Sequence, residues 1–132
     1  MLGIIIILVI VAILVLYSAV IIFSQPKTIY YKDGTPCECD KMQRKYYNNG
    51  ALWIETPYKK NGAIHGTERE YYESGALRRK TPYANDRKHG TARGYYESGA
   101  LMWEVSYKDG NKHVIVREYS ESGFITREEI LS

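Results

Sequence analysis

His65, His89 and His113 recur at intervals of 24 and 24 residues, and imidazole is a common zinc ligand. Equal spacing across a β-repeat argues against a shared ion. Neighbouring strands lie about 4.8 Å apart, so equivalent residues two strands away sit near 10 Å. A zinc–nitrogen bond of about 2 Å needs far closer convergence. The better reading is a row of turn histidines titrating near neutrality.

Cys37 and Cys39 form a C-x-C pair. Residues two apart rarely reach disulfide geometry with each other, and no further cysteine or nearby histidine completes a tetrahedral site. They read as two free thiols, or as one end of an intermolecular disulfide in an oxidising compartment. Arg44, Arg69, Arg93 and Arg117 each stand two residues before a tyrosine: Tyr46, Tyr71, Tyr95 and Tyr119. Arginine beside tyrosine can bind phosphate or stack on bases. It can equally lay its stem over a neighbouring ring as packing, which is the reading preferred here. Glu68, Glu70, Glu73, Glu97 and Glu118 interrupt any basic stripe, and a net charge of +3 excludes a strongly cationic nucleic-acid binder.

Catalytic motifs are missing: no G-x-G-x-x-G, phosphate loop, H-E-x-x-H or G-x-S-x-G occurs. The acids recur on turns and on faces read as exposed, so no carboxylate pair suggests itself. The expectation is a non-enzyme without cofactor or metal.

The elements that position these residues are repeats. Lys45-Tyr46-Tyr47-Asn48-Asn49-Gly50-Ala51-Leu52 returns as Glu70-Tyr71-Tyr72-Glu73-Ser74-Gly75-Ala76-Leu77 and again as Gly94-Tyr95-Tyr96-Glu97-Ser98-Gly99-Ala100-Leu101. It decays into Glu118-Tyr119-Ser120-Glu121-Ser122-Gly123-Phe124-Ile125. Gly50, Gly75, Gly99 and Gly123 are 25, 24 and 24 residues apart. Each unit reads as a β-hairpin, with Asn49-Gly50 as a type I′ turn and the Ser-Gly pairs as weaker versions. The strands leaving the turns alternate. Leu52, Ile54, Leu101, Trp103 and Val105 take one face, and Trp53, Glu55, Arg78, Lys80, Met102 and Glu104 the other. Whether Tyr71 or Tyr72 shares a face with Leu77 depends on the loop length and stays open. The second turns, after Tyr58, Tyr83 and Tyr107, read as irregular, and Pro57 and Pro82 end their strands. Tyr31-Lys32-Asp33-Gly34 is similar to Tyr107-Lys108-Asp109-Gly110, which suggests a partial leading unit. Residues 27–132 hold only 14 Leu, Ile, Val or Phe, so 12 tyrosines and two tryptophans must supply the burial.

All 33 charged side chains fall after residue 26. Leu2 to Phe23 is an uncharged, largely aliphatic run of 22 residues, which as a helix covers roughly 33 Å and would cross a hydrocarbon core of about 30 Å. A cleaved signal normally has a charged start, a shorter apolar stretch and a small-x-small site, none of which fits. The expectation is an uncleaved single-pass anchor in the cell membrane, with Tyr17 and Pro26-Lys27 towards the exit interface. Lys27, Lys32, Lys41, Arg44 and Lys45 weigh towards a cytoplasmic domain, the export-like leader against it, and the side stays open.

The recurring Tyr-Tyr-x-x-Gly-x-Leu, with Tyr-x-x-Gly after it, resembles the MORN-variant repeat over residues 43–132. The resemblance implies an all-β fold, an elongated antiparallel meander of hairpins, here preceded by one transmembrane helix. Residues 1–25 would be the anchor, 26–42 a connector with the partial leading repeat, and 43–132 the repeats. Similar bacterial proteins are often membrane-anchored, and some are labelled antitoxin-like; no catalytic role carries over. The expected function is a membrane-anchored module presenting an aromatic β-surface to a protein or to headgroups. The candidate surface is Tyr46, Tyr47, Tyr71, Tyr72, Tyr95, Tyr96, Tyr119, Trp53 and Trp103 with Arg44, Arg69, Arg93 and Arg117. The alternatives are a partner that masks a toxin protein, and a sensor of anionic lipid using the cations near the bilayer. Nucleic acid is not an expected partner.

Overall fold

A computed structural model describes the backbone of residues 2–23 and 27–131, and side chains over 6–17, 27–113 and 116–130. Helix α1 runs Leu2–Phe23. Eleven strands follow: β1 Ile29–Tyr30, β2 Pro36–Cys37, β3 Lys41–Tyr46, β4 Leu52–Tyr58, β5 Gly66–Tyr71, β6 Leu77–Ala84, β7 Arg87–Lys88, β8 Gly90–Tyr95, β9 Leu101–Lys108, β10 Asn111–Tyr119 and β11 Ile125–Leu131. Nine of them form one antiparallel sheet in the order β11-β10-β9-β8-β6-β5-β4-β3, with β7 pairing only β6. Apart from β7, sequence neighbours are spatial neighbours, so the fold is a meander.

The expected membrane crossing stands differently. Among the described residues, no helix is long and apolar enough to cross a membrane. Met1, Ser24, Gln25 and Pro26, the ends of the expected anchor and its exit, lie outside the described residues.

The turns correct two readings. Gly50 has φ +83° but Asn49 is not left-handed, so Asn49-Gly50 is not a type I′ turn. Tyr47 N–H donates to Ala51 O at 2.9 Å and Gly50 N–H to Tyr47 O at 3.0 Å, which makes a three-residue loop closed by a left-handed glycine. The same bonds recur at Tyr72, Tyr96 and Ser120. This loop skips one residue on the outgoing strand, so Tyr71 pairs with Leu77 and settles the open register. The type I′ turns lie among those read as irregular. Asn85 and Asp86 have φ of 50° and 67° between β6 and β7, and Asp109-Gly110 has 52° and 94° between β9 and β10.

The leading segment folds as a hairpin of its own. β1 pairs with β2 around the turn Tyr31–Thr35, where Gly34 takes φ +80°. Its loop type is that of Tyr72–Ala76, not that of Tyr107–Gly110. The hairpin lies across one face of the large sheet over β4 and β5. There the core sits: Tyr31, Cys37, Glu55, Pro57 and Tyr71 are buried. On the opposite face Thr56, Thr81, Ala92 and Val105 are buried along a line of small side chains.

Candidate functional site

Strand register places one residue from each of eight strands in a single row: Arg44, Glu55, Arg69, Lys80, Arg93, Glu104, Arg117 and Glu128. Each arginine lies 11 residues before the next member, because hairpins of one length fold back on the same offset. Arg44 Nε donates to Glu55 Oε2 at 2.9 Å, Arg93 Nε to Glu104 Oε2 at 3.3 Å, and Arg117 Nε to Glu128 Oε1 at 2.7 Å. Lys80 stands where the other units have glutamate. Arg69, Lys80 and Arg93 are therefore three successive cations.

Against the expectation of an exposed acid, Glu55 is fully buried, 0% accessible, beneath the β1–β2 hairpin. Its carboxylate accepts from Arg44, from Lys32 N–H at 3.0 Å and from the Tyr71 hydroxyl at 2.6 Å. Three donors satisfy a charge that could not otherwise leave water. Burial, reinforced by the hydrogen bond to Glu55, pushes the Tyr71 hydroxyl pKa well up. Glu104 repeats the arrangement without a cover. Burial raises its pKa, but donors from Tyr119, Arg117 and Arg93 outweigh this and hold it below the ordinary value.

The hairpin tip seats in a cradle. Opposite Pro57, the Thr67 N–H has no strand partner, since the Pro57 carbonyl already accepts from His65 N–H at 3.1 Å. The Tyr31 oxygen accepts that N–H at 3.0 Å, and the Arg69 guanidinium lies 3.8 Å from the centre of the Tyr31 ring. Gly66 makes room at φ +109°: an added Cβ would meet Pro57 Cγ at 3.2 Å and the Tyr31 oxygen at 3.3 Å. Asp33 closes the contact on Arg69 at 2.6 Å. The Arg69 hydrogen bond holds the Asp33 carboxyl down to about 2.

The candidate aromatic surface divides by role. The second tyrosine of each pair joins units: Tyr47, Tyr72 and Tyr96 donate their hydroxyls to the carbonyls of Tyr71, Tyr95 and Tyr119, each at 2.8 Å. Tyr71 is core, Tyr119 donates to Glu104 at 3.0 Å, and the Lys80 ammonium lies 5.7 Å from the Tyr95 ring. Trp103 packs over Gly94 on the opposite face, where an added Cβ would fall 2.2 Å from its Nε1. Tyr46 and Trp53 remain exposed and, with Tyr47 at 6.1 Å from Trp53, line a recess at the first turn. The structure thus separates residues grouped as one surface, and the arginines meet chiefly carboxylates.

The other candidates resolve simply. Cys37 and Cys39 are bonded to each other, with Cα atoms 5.3 Å apart, within the disulfide range. That corrects the reading as free thiols or an intermolecular bridge: the chain turns at Glu38 and brings the two together. Among the described residues the buried Nδ1 of His65 meets no hydrogen-bond partner, and His89 Nδ1 lies 3.6 Å from Asp109. Among the described residues no cluster of three metal-ligating side chains forms.

A meander of equal hairpins, tied by tyrosine hydroxyls and crossed by a row of charge, defines a β-repeat protein. The sequence pattern of the MORN repeat variant matches residues 40–60, 64–85 and 88–109, and the chain belongs to that family. No curated protein and no solved structure matches it.

Proposed function

We propose that the chain is a non-catalytic binding module, held at a membrane by its apolar leading helix and presenting the β6–β11 part of the charged face to a protein or to lipid headgroups. One observation carries this: the β1–β2 hairpin covers the charged row over β3 to β5, where Arg44 also donates to the Tyr30 carbonyl at 2.6 Å, and leaves β6–β11 uncovered. Arg69 beneath it is 15% exposed, whereas Arg93 and Arg117 are 39% and 32% exposed. Those side chains and the half-buried Tyr95 and Tyr119 are open to a partner. Membrane attachment is supported by α1, where Ile6, Ile7, Leu8, Ile13, Leu14 and Leu16 are all more than half exposed. Water disfavours such a surface and lipid does not. Family membership supports a binding role, as MORN repeats are generally protein- or membrane-binding modules.

Fractionation tests the attachment. The full chain should stay with membranes through alkaline carbonate washing, and removal of residues 2–23 should release it; a full chain released by carbonate would overturn it. Vesicles with and without anionic lipid test the headgroup reading, which requires binding that falls steeply with salt. Co-purification of a protein toxin would assign the protein reading to the antitoxin-like class. Reporter fusions at Ser132, active on one side only, give orientation.

A further inference from the structure

The cradle that seats the hairpin tip exists twice. Pro57, Gly66, Thr67, Arg69 and Tyr71 recur one unit later as Pro82, Gly90, Thr91, Arg93 and Tyr95. Local geometry recurs with them. His89 N–H donates to the Pro82 carbonyl at 3.0 Å, as His65 does to Pro57 at 3.1 Å. Gly90 has φ +95°, and an added Cβ would meet Pro82 Cγ at 3.3 Å, against 3.2 Å for Gly66 and Pro57. β6 and β8 pair only at Arg79–Gly94 and Lys80–Arg93, as β4 and β5 pair only at Ile54–Glu70 and Glu55–Arg69. The register turns the Thr91 N–H towards Pro82, as it turns the Thr67 N–H towards Pro57. At Thr67 that donor meets the Tyr31 hydroxyl; among the described residues no hydroxyl meets it at Thr91.

The two copies differ in one charge. Glu55, which accepts the main-chain N–H of Lys32 at the first cradle, is replaced by Lys80 at the second. A tip seated there would present its second residue to an ammonium instead of a carboxylate. The neighbouring Arg93 adds a second cation, shared with Glu104 at 3.3 Å. The first cradle therefore shows what shape fits, and the substitution says which charge.

We infer that the second cradle, on Lys80, Pro82, Gly90, Thr91, Arg93 and Tyr95, docks a tyrosine-led turn of a partner protein whose next residue is acidic. The tyrosine hydroxyl accepts the Thr91 N–H, its ring lies under the Arg93 guanidinium, and the following carboxylate pairs with Lys80. This rests on the binding-surface reading and names its partner chemistry.

The probe is a backbone-cyclised peptide of the chain's own tip, Ile29 to Pro36, in its natural form and with Lys32→Glu. It is titrated into the full chain and followed by the Thr91 amide signal. The acidic peptide should bind at least tenfold more tightly than the natural one and shift that amide. Lys80→Glu restores the residue type of the sibling units, so the fold is retained, and it should reverse the preference. Arg93→Gln should weaken both peptides. Absence of acidic-peptide binding at 1 mM, or binding indifferent to Lys80→Glu, would overturn the inference. So would self-association of the full chain abolished by Lys80→Glu, which would make a second copy the occupant. Vesicle binding and carbonate fractionation are unaffected by this failure and report the wider reading separately.

Discussion

Replacing Glu55 by glutamine keeps the shape of the side chain and removes its charge. Both oxygens are in use, Oε1 by Lys32 N–H and the Tyr71 hydroxyl and Oε2 by Arg44 Nε, so either orientation of the amide turns its NH2 group on a donor. The less costly orientation faces Arg44, which at 36% exposure can recover part of its hydration. Losing that charge-assisted bond costs about 1.5–2 kcal/mol after this discount. The two surviving bonds become neutral and fall to roughly half their strength, a further ~1 kcal/mol. The sum, about 3 kcal/mol, lies at the low end for breaking a buried pair. In a domain near 100 residues it corresponds to a fall of about 12–24 °C in Tm. Glu104→Gln is the control. Its bonds are 3.0, 3.3 and 3.4 Å long and its side chain is 18% exposed, so water can replace them and about 1 kcal/mol is expected. Urea unfolding followed by Trp53 and Trp103 fluorescence measures both. Equal losses, or a Glu55→Gln loss under about 1 kcal/mol, would refute the assignment of the hairpin as the feature that makes Glu55 different.

Tyr72→Phe removes the hydroxyl that reaches the Tyr95 carbonyl and should cost about 1 kcal/mol, read by the same unfolding assay, with hydrogen exchange faster across β6 and β8. Acid should detach the hairpin first. The folded Asp33 pKa lies below its unfolded value, so its contribution is full above about pH 4 and is lost as pH falls towards about 2. Amide signals of Thr67 should report that change, and Asp33→Asn should abolish its pH dependence. Alkali acts from the other side: the raised Tyr71 pKa means stability is full below about pH 10 and declines above it, a decline that Tyr71→Phe should blunt.

The repeat, its period and its turn glycines are legible because each hairpin repeats the same local chemistry. Period-two alternation likewise places Ile54, Trp103 and Val105 on one face, but the bulge carries Leu52, opposite Tyr46, onto the other, charged face. Burial of Glu55 is not legible, because it depends on a segment twenty residues away folding over one unit and not the others. Its sign was nevertheless present: the 11-residue offset from Arg44, Arg93 and Arg117 always ends on glutamate, and from Arg69 on Lys80. Asn49-Gly50 misleads because the dipeptide suits a type I′ turn in isolation, whereas the bulged register shared by all four units requires the three-residue loop. The C-x-C pair misleads because typical separations do not anticipate a chain reversal at Glu38.

The hydroxyl ties between units also bear on how such chains lengthen. Each one reaches only from its own loop to the next first-tyrosine carbonyl, so inserting or deleting one whole unit breaks no tie that it does not also remake. In the fourth unit Ser120 stands where the others carry that tyrosine, and its short side chain bonds within its own loop, to Ser122, instead of reaching onward. Gene duplication in this architecture can thus vary reach in whole units of 24 or 25 residues without renegotiating the core.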